Sequence, residues 1–120
     1  MGPGTGLALV DARGYAMEFI RTLGLTLGIW HVRKPTELGS VPRGTLVMLA
    51  VYSGDELDRG YGLYQSAPTL VLGFGTGPRE GSRALQLGAV GYVHDQETPN
   101  DLRDGIGQSF MRADRRWSRR

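Results

Sequence analysis

The sequence has no cysteine, which excludes disulfide scaffolds, thiolate zinc sites and thiol nucleophiles together. Histidine occurs twice, at His31 and His94, with no partner at metal-ligand spacing, so no metal site is expected. Lysine occurs once, at Lys34. No apolar run approaches the roughly 20 residues of a membrane-spanning helix, and the N-terminus lacks a secretory signal pattern. Ser53 and Ser82 have no G-x-S-x-G around them, and no P-loop motif is present. These absences read as a soluble cytoplasmic protein with no membrane partner, no cofactor and no enzymatic activity.

What is present is 120 residues, 40% of them apolar, with 19 glycines. That is one domain's worth of chain with enough apolar residues for a packed core. The glycine-rich opening, residues 1–6, reads as flexible. Charge is unevenly spread: residues 1–111 carry nine basic and eleven acidic side chains, whereas 112–120 carry five arginines and Asp114. We therefore expect a domain over 1–111 and a short basic segment over 112–120. That segment suits phosphate contact, or simply a solvated helix end whose arginines complement the helix dipole.

Apolar runs and helical periodicities alternate. Leu7–Val10 is a short apolar strand ending at Asp11. Tyr15, Phe19 and Leu23 recur at helical spacing, with Gly24 as a stop. Leu25–Val32 alternates as a second strand. Residues 33–43 carry Pro35, Gly39 and Pro42 and read as loop with at most one helical turn. Thr45–Tyr52 is apolar on both faces, as a central parallel strand should be. Asp55–Gln65 is a weak helix interrupted by Gly60 and Gly62. Thr69–Leu72 is a fourth strand, followed by a helix from about Arg79 to Leu87. Val90–His94 is a fifth strand. Thr98 and Pro99 then open a last helix with Leu102, Ile106 and Phe110 on one face. Five βα units with two-faced strands predict an α/β, doubly wound five-stranded parallel sheet. Ligand chemistry belongs at the carboxyl ends of its strands.

At those ends the chain resembles the receiver domains of bacterial response regulators, particularly those of LuxR/NarL-type transcription factors. The resemblance rests on Leu7–Arg13, Pro68–Leu72, the Ala84-Leu85-Gln86-Leu87-Gly88-Ala89-Val90-Gly91-Tyr92 segment and Thr98–Leu102. It implies a flavodoxin-like (βα)5 receiver fold, a place in a two-component signal-transduction system and a regulatory role in transcription. Residues 112–120 resemble the connector toward a C-terminal helix-turn-helix domain, through which DNA would be reached. A working receiver of this family holds Mg²⁺ on an acidic pair after the first strand; Asp11 matches one member and Ala12 stands at the other. Its phosphoacceptor carboxylate ends the third strand, where Ala50 stands, and a methyl group cannot attack phosphorus. Gly73 stands at the hydroxyl position after the fourth strand, and Asp95 replaces the lysine after the fifth. Four departures at separate strand ends imply an atypical receiver that works without phosphorylation.

The altered pocket, Asp11, Ala12, Ala50, Gly73, Phe74 and Asp95, is a candidate small-molecule site. The alignment places Asp11 and Asp95 at neighbouring strand ends, which would favour a cation or a donor-rich ligand over phosphate. The alternatives are two solvated carboxylates, or a carboxylate locked by Arg13. Phe74 is placed to plug the vacant pocket. The Gly73–Gly77 loop could present backbone N–H groups to a nucleotide phosphate, or be a mobile turn. Tyr61 and Tyr64 read as packing or surface residues. A homodimer is expected through the fourth helix, fifth strand and fifth helix, with Arg83, Gln86, Leu87, Tyr92, Asp101 and Asp104 as interface candidates. A stand-alone protein-interaction adaptor and a small α/β ligand binder are the competing readings.

Overall fold

A computed structural model describes residues 6–118. The elements are β1 (Gly6–Val10), α1 (Tyr15–Arg21), β2 (Gly28–Val32), a single 3₁₀ turn (Pro35–Glu37), β3 (Thr45–Val51), α2 (Gly54–Arg59), α3 (Tyr61–Ser66), β4 (Thr69–Gly73), α4 (Pro78–Gln86), β5 (Gly91–His94) and α5 (Pro99–Ser118). The five strands form one parallel sheet in the order β2-β1-β3-β4-β5. This is the doubly wound α/β sheet expected from the alternating pattern.

Every residue of β3 is buried because helices cover both faces of the sheet. Alternation along the strands divides the core in two. Leu7, Leu9, Leu46, Met48, Leu70 and Leu72 pack with Ile20 of α1 and with Leu102 and Ile106 of α5. Ala8, Val10, Val47, Leu49, Val51 and Val71 pack with Leu57 of α2, Tyr64 of α3 and Ala84 of α4.

Two interruptions of the βα alternation share one region, both where the sequence leads one to expect them. The second βα unit has no helix: residues 33–44 cross from β2 over β1 to β3 as a loop of bends and turns with one 3₁₀ turn, anchored by buried Leu38. Pro35 and Gly39 leave no uninterrupted stretch for helix propagation. The weak helix expected over 55–65 is two short helices meeting at Gly60. A Cβ there would collide with the Tyr64 hydroxyl and Leu49 Cδ2, so the break is held by close packing as well as by low propensity. Because the crossover supplies no helix to fill its face of the sheet, two cavities, of about 380 and 290 Å³, open along it.

The boundary expected after residue 111 is not a break in the chain. Helix α5 runs through to Ser118, with Ala113 buried and Trp117 packed on the core. Arg116 donates to the carbonyls of Tyr64 (3.0 Å) and Gln65 (2.9 Å), Arg112 donates to that of Val90 (3.0 Å), and Arg43 donates to that of Trp117. Residues 112–118 are therefore the last two turns of a helix docked on the domain. Arg119 and Arg120 lie outside the described residues, as does the glycine-rich opening before Gly6.

Candidate functional site

The β1–β3 register pairs Val10 with Leu49, which sets Asp11 beside Ala50 at the sheet's carboxyl edge. Asp11 is 1% exposed. Its Oδ2 accepts the Ala16 N–H at 2.7 Å, which ties down the first turn of α1. Its Oδ1 accepts the Arg13 N–H at 3.1 Å and the Tyr52 hydroxyl at 2.9 Å. His31 Nε2–H donates to the Asp11 carbonyl at 3.1 Å. The carboxylate is thus fully engaged within the fold.

Tyr52 follows β3 directly and covers this carboxylate. Burial, with the Asp11 carboxylate beside it, pushes its hydroxyl far above the usual phenol range, so it remains an O–H donor. The Tyr52 ring stacks on Phe74, with centroids 4.9 Å apart and planes 12° apart. Phe74 in turn meets Phe19 of α1 edge-on at 5.5 Å. The Arg13 guanidinium lies 4.4 Å from the Tyr52 ring centroid. Phe74 therefore closes the rim above β1, β3 and β4, in partnership with a tyrosine that sequence reasoning missed. Its one signal is an aromatic placed immediately after the central strand.

The space at Gly73 is also occupied. A Cβ there would collide with Thr76 Oγ1, whose hydroxyl pairs with that of Tyr92. A hydroxyl thus stands beside the end of β4, delivered by a loop residue three positions on. Burial raises the Tyr92 hydroxyl above its ordinary range, partly offset by Thr76.

Asp95 does not join Asp11. Strands β3 and β4 lie between β1 and β5, which separates the two strand ends by roughly 14 Å at ordinary strand spacing. Asp95 accepts the Gly75 N–H at 3.2 Å and Gln96 Nε2 at 3.2 Å, pinning the β4–α4 loop to the β5 end. The expected two-carboxylate pocket is thereby corrected. So is the phosphate-cradling alternative for Gly73–Gly77: the Gly75 N–H serves Asp95, and the Gly77 N–H serves Glu80 at 2.8 Å. Among the described residues no group of three His, Asp or Glu side chains is arranged to hold a metal ion.

The open part of the rim lies on the crossover side. The 290 Å³ cavity reaches Ala12 and Ala50, is walled by Val10, Leu49, Pro35 and Tyr52, and carries Arg13, Arg33 and Arg59. Glu56 is its one carboxylate, and it already accepts the Tyr52 backbone N–H at 2.7 Å and the Arg13 guanidinium Nη2 at 3.3 Å. Arginines from three separate segments thus line this side of the rim, where the sequence leads one to expect two carboxylates.

The interface candidates divide likewise. Gln86, Asp101 and Asp104 are exposed. Arg83 is exposed too but pairs with Asp58 of α2 at 3.1 Å, and Leu87 packs into the α2–α4 side of the core. Tyr92 is half-buried beneath Thr76. Leu85 on α4 and Met111 on α5, which the sequence reading did not single out, are 52% and 60% exposed.

No protein-family model matches the chain. No curated protein matches it either. Solved structures do. The signal receiver domain of a protein described as a Luxo repressor, from Vibrio parahaemolyticus, aligns with a TM-score of 0.62 at 16% identity over 90% of each chain. A response regulator receiver domain from Rhodospirillum rubrum aligns with a TM-score of 0.58 at 20% identity, over 88% of this chain and 93% of that one. Response regulator ChrA of a heme-sensing two-component system aligns with a TM-score of 0.55 at 16% identity, over 91% of this chain and 58% of that one. The chain has the receiver-domain fold. No helix among the described residues is long and apolar enough to cross a membrane.

Proposed function

We propose that this chain is an atypical receiver module of a cytoplasmic LuxR/NarL-type transcription regulator, non-enzymatic and independent of aspartyl phosphorylation. The observation that carries the reading is the occupied state of Asp11: its carboxylate is spent on Ala16, Arg13 and Tyr52, with the Ala50 methyl beside it. A phosphoryl group has no nucleophile there, and Mg²⁺ has no second carboxylate. Regulation then comes from assembly or from a bound molecule. Homodimerisation across the exposed parts of α4 and α5, around Leu85, Gln86, Asp101 and Asp104, would pair attached DNA-binding domains with a symmetric operator.

Incubation with acetyl phosphate and Mg²⁺, followed by intact mass measurement, tests the first part; no phosphoryl adduct is expected. Sedimentation velocity tests the second, with a dimer expected for the native chain and a monomer for the Asp104→Arg, Leu85→Arg double variant.

A second reading, a protein-interaction adaptor that never meets DNA, draws support from the docked tail. Arg112 and Arg116 are turned onto backbone carbonyls of the same domain rather than held out as a basic patch. Under that reading, the full gene product captures a protein partner and has no DNA affinity.

A further inference from the structure

We infer that the cavity beside Ala50 is a binding site for a small organic anion, a carboxylate or phosphate monoester on a flat apolar body. This deepens the regulatory reading above by naming the chemistry of a ligand that would act on the module.

Three arginines from unrelated parts of the chain line one cavity: Arg13 from the β1–α1 loop, Arg33 from just after β2, and Arg59 from the end of α2. Among the described residues, the Arg33 and Arg59 guanidiniums make no hydrogen bond or ion pair, and Glu37 is the one carboxylate that feels the Arg33 charge. Glu56, the only carboxylate in the wall, is committed to Tyr52 N–H and Arg13. Like charges held around a concave, partly apolar space repel one another and focus a positive potential, which an anion relieves. Guanidinium forks suit the planar carboxylate and the phosphate group in particular.

The rest of the cavity selects for an organic ligand. Ala12 and Ala50 are among its lining residues, and neither adds negative charge. Val10, Leu49 and Pro35 supply apolar wall, and the Tyr52 ring lies at its edge. At about 290 Å³ the cavity is of a size to take a single ring bearing one anionic substituent. Asp11 is not among the lining residues, and its carboxylate accepts the Tyr52 hydroxyl and two backbone N–H groups. The opening itself follows from the helix-free crossover, which leaves this end of the sheet uncovered.

The test is an amide NMR titration of the full chain with phenyl phosphate, benzoate, inorganic phosphate and benzylamine. The expected result is saturable binding of phenyl phosphate or benzoate, with shifts centred on Ala12, Ala50 and Gly60, and none with benzylamine. Comparing the two aryl anions distinguishes a phosphate from a carboxylate ligand. Arg33→Gln and Arg59→Gln should each weaken binding about tenfold or more without lowering the melting temperature, since both side chains are exposed. Binding unaffected by either substitution, shifts centred elsewhere, or no binding by any anion overturns the proposal. Binding of inorganic phosphate with no gain from the phenyl group overturns the organic part of it. None of these failures touches the acetyl phosphate or sedimentation results, so the two readings fall separately.

Discussion

The two halves of the sheet's carboxyl rim are built from the same strand ends and have opposite characters. Over β1, β3 and β4 the rim is sealed: Asp11 holds α1 and Tyr52, and Tyr52 and Phe74 stack across the gap. On the side of the β2–β3 crossover it is open, lined by three arginines and by Ala12 and Ala50. The fold does not dictate which half is open. Side chains close one half, and the loss of a helix opens the other. A buried carboxylate that is fully hydrogen-bonded is structural, whereas guanidiniums without partners around a hollow invite a ligand.

Substitutions sharpen this contrast in order of expected effect. Asp11→Ala leaves the Ala16 and Arg13 N–H groups and the Tyr52 hydroxyl without their acceptor. It should cost about 3 kcal/mol in urea unfolding, the largest loss at the rim. Gly73→Ala drives a methyl into Thr76 Oγ1 and should cost about 2 kcal/mol. Combining it with Thr76→Ala should recover part of that loss, so a double-mutant cycle reads the clash directly. Tyr52→Phe keeps the stack on Phe74 but removes the donor to Asp11, and should cost about 1–2 kcal/mol in the same assay. Arg83→Ala breaks an exposed pair with Asp58 and should change stability by less than about 1 kcal/mol. If the Arg83 effect matched that of Asp11, the distinction between structural and surface charge drawn here would fail.

Much of the fold was legible because two-faced apolar runs such as Thr45–Val51 belong to covered parallel strands, and Thr98-Pro99 marks a helix start plainly. Gly60 broke its helix where low propensity suggested. Less legible was the end of the domain. The arginines at 112–118 look like a solvated run in sequence, but Arg112 and Arg116 reach distant carbonyls and Trp117 finds the core only through folding. At the site, the identities of Asp11, Ala50 and Phe74 were visible, while their company was not. Asp11 and Asp95 look alike as strand-end carboxylates until the strand order puts two strands between them. Tyr52 was concealed as one more apolar residue at the end of a strand. Arg33 and Arg59 carried no pattern, because a cavity formed by a missing helix has no signature beyond the prolines and glycines that removed it.

The most direct test of the central claim is an amide NMR titration with fluoroberyllate, with and without Mg²⁺. A phosphoacceptor site answers only when the metal and a nucleophilic carboxylate are both in place, so the Mg²⁺-dependent part of the response is the readout. The account predicts no Mg²⁺-dependent shift at Asp11, Ala50 or Gly73. Mg²⁺-dependent, saturable shifts at those residues would contradict it and restore a phosphoryl-type chemistry to the sealed half of the rim.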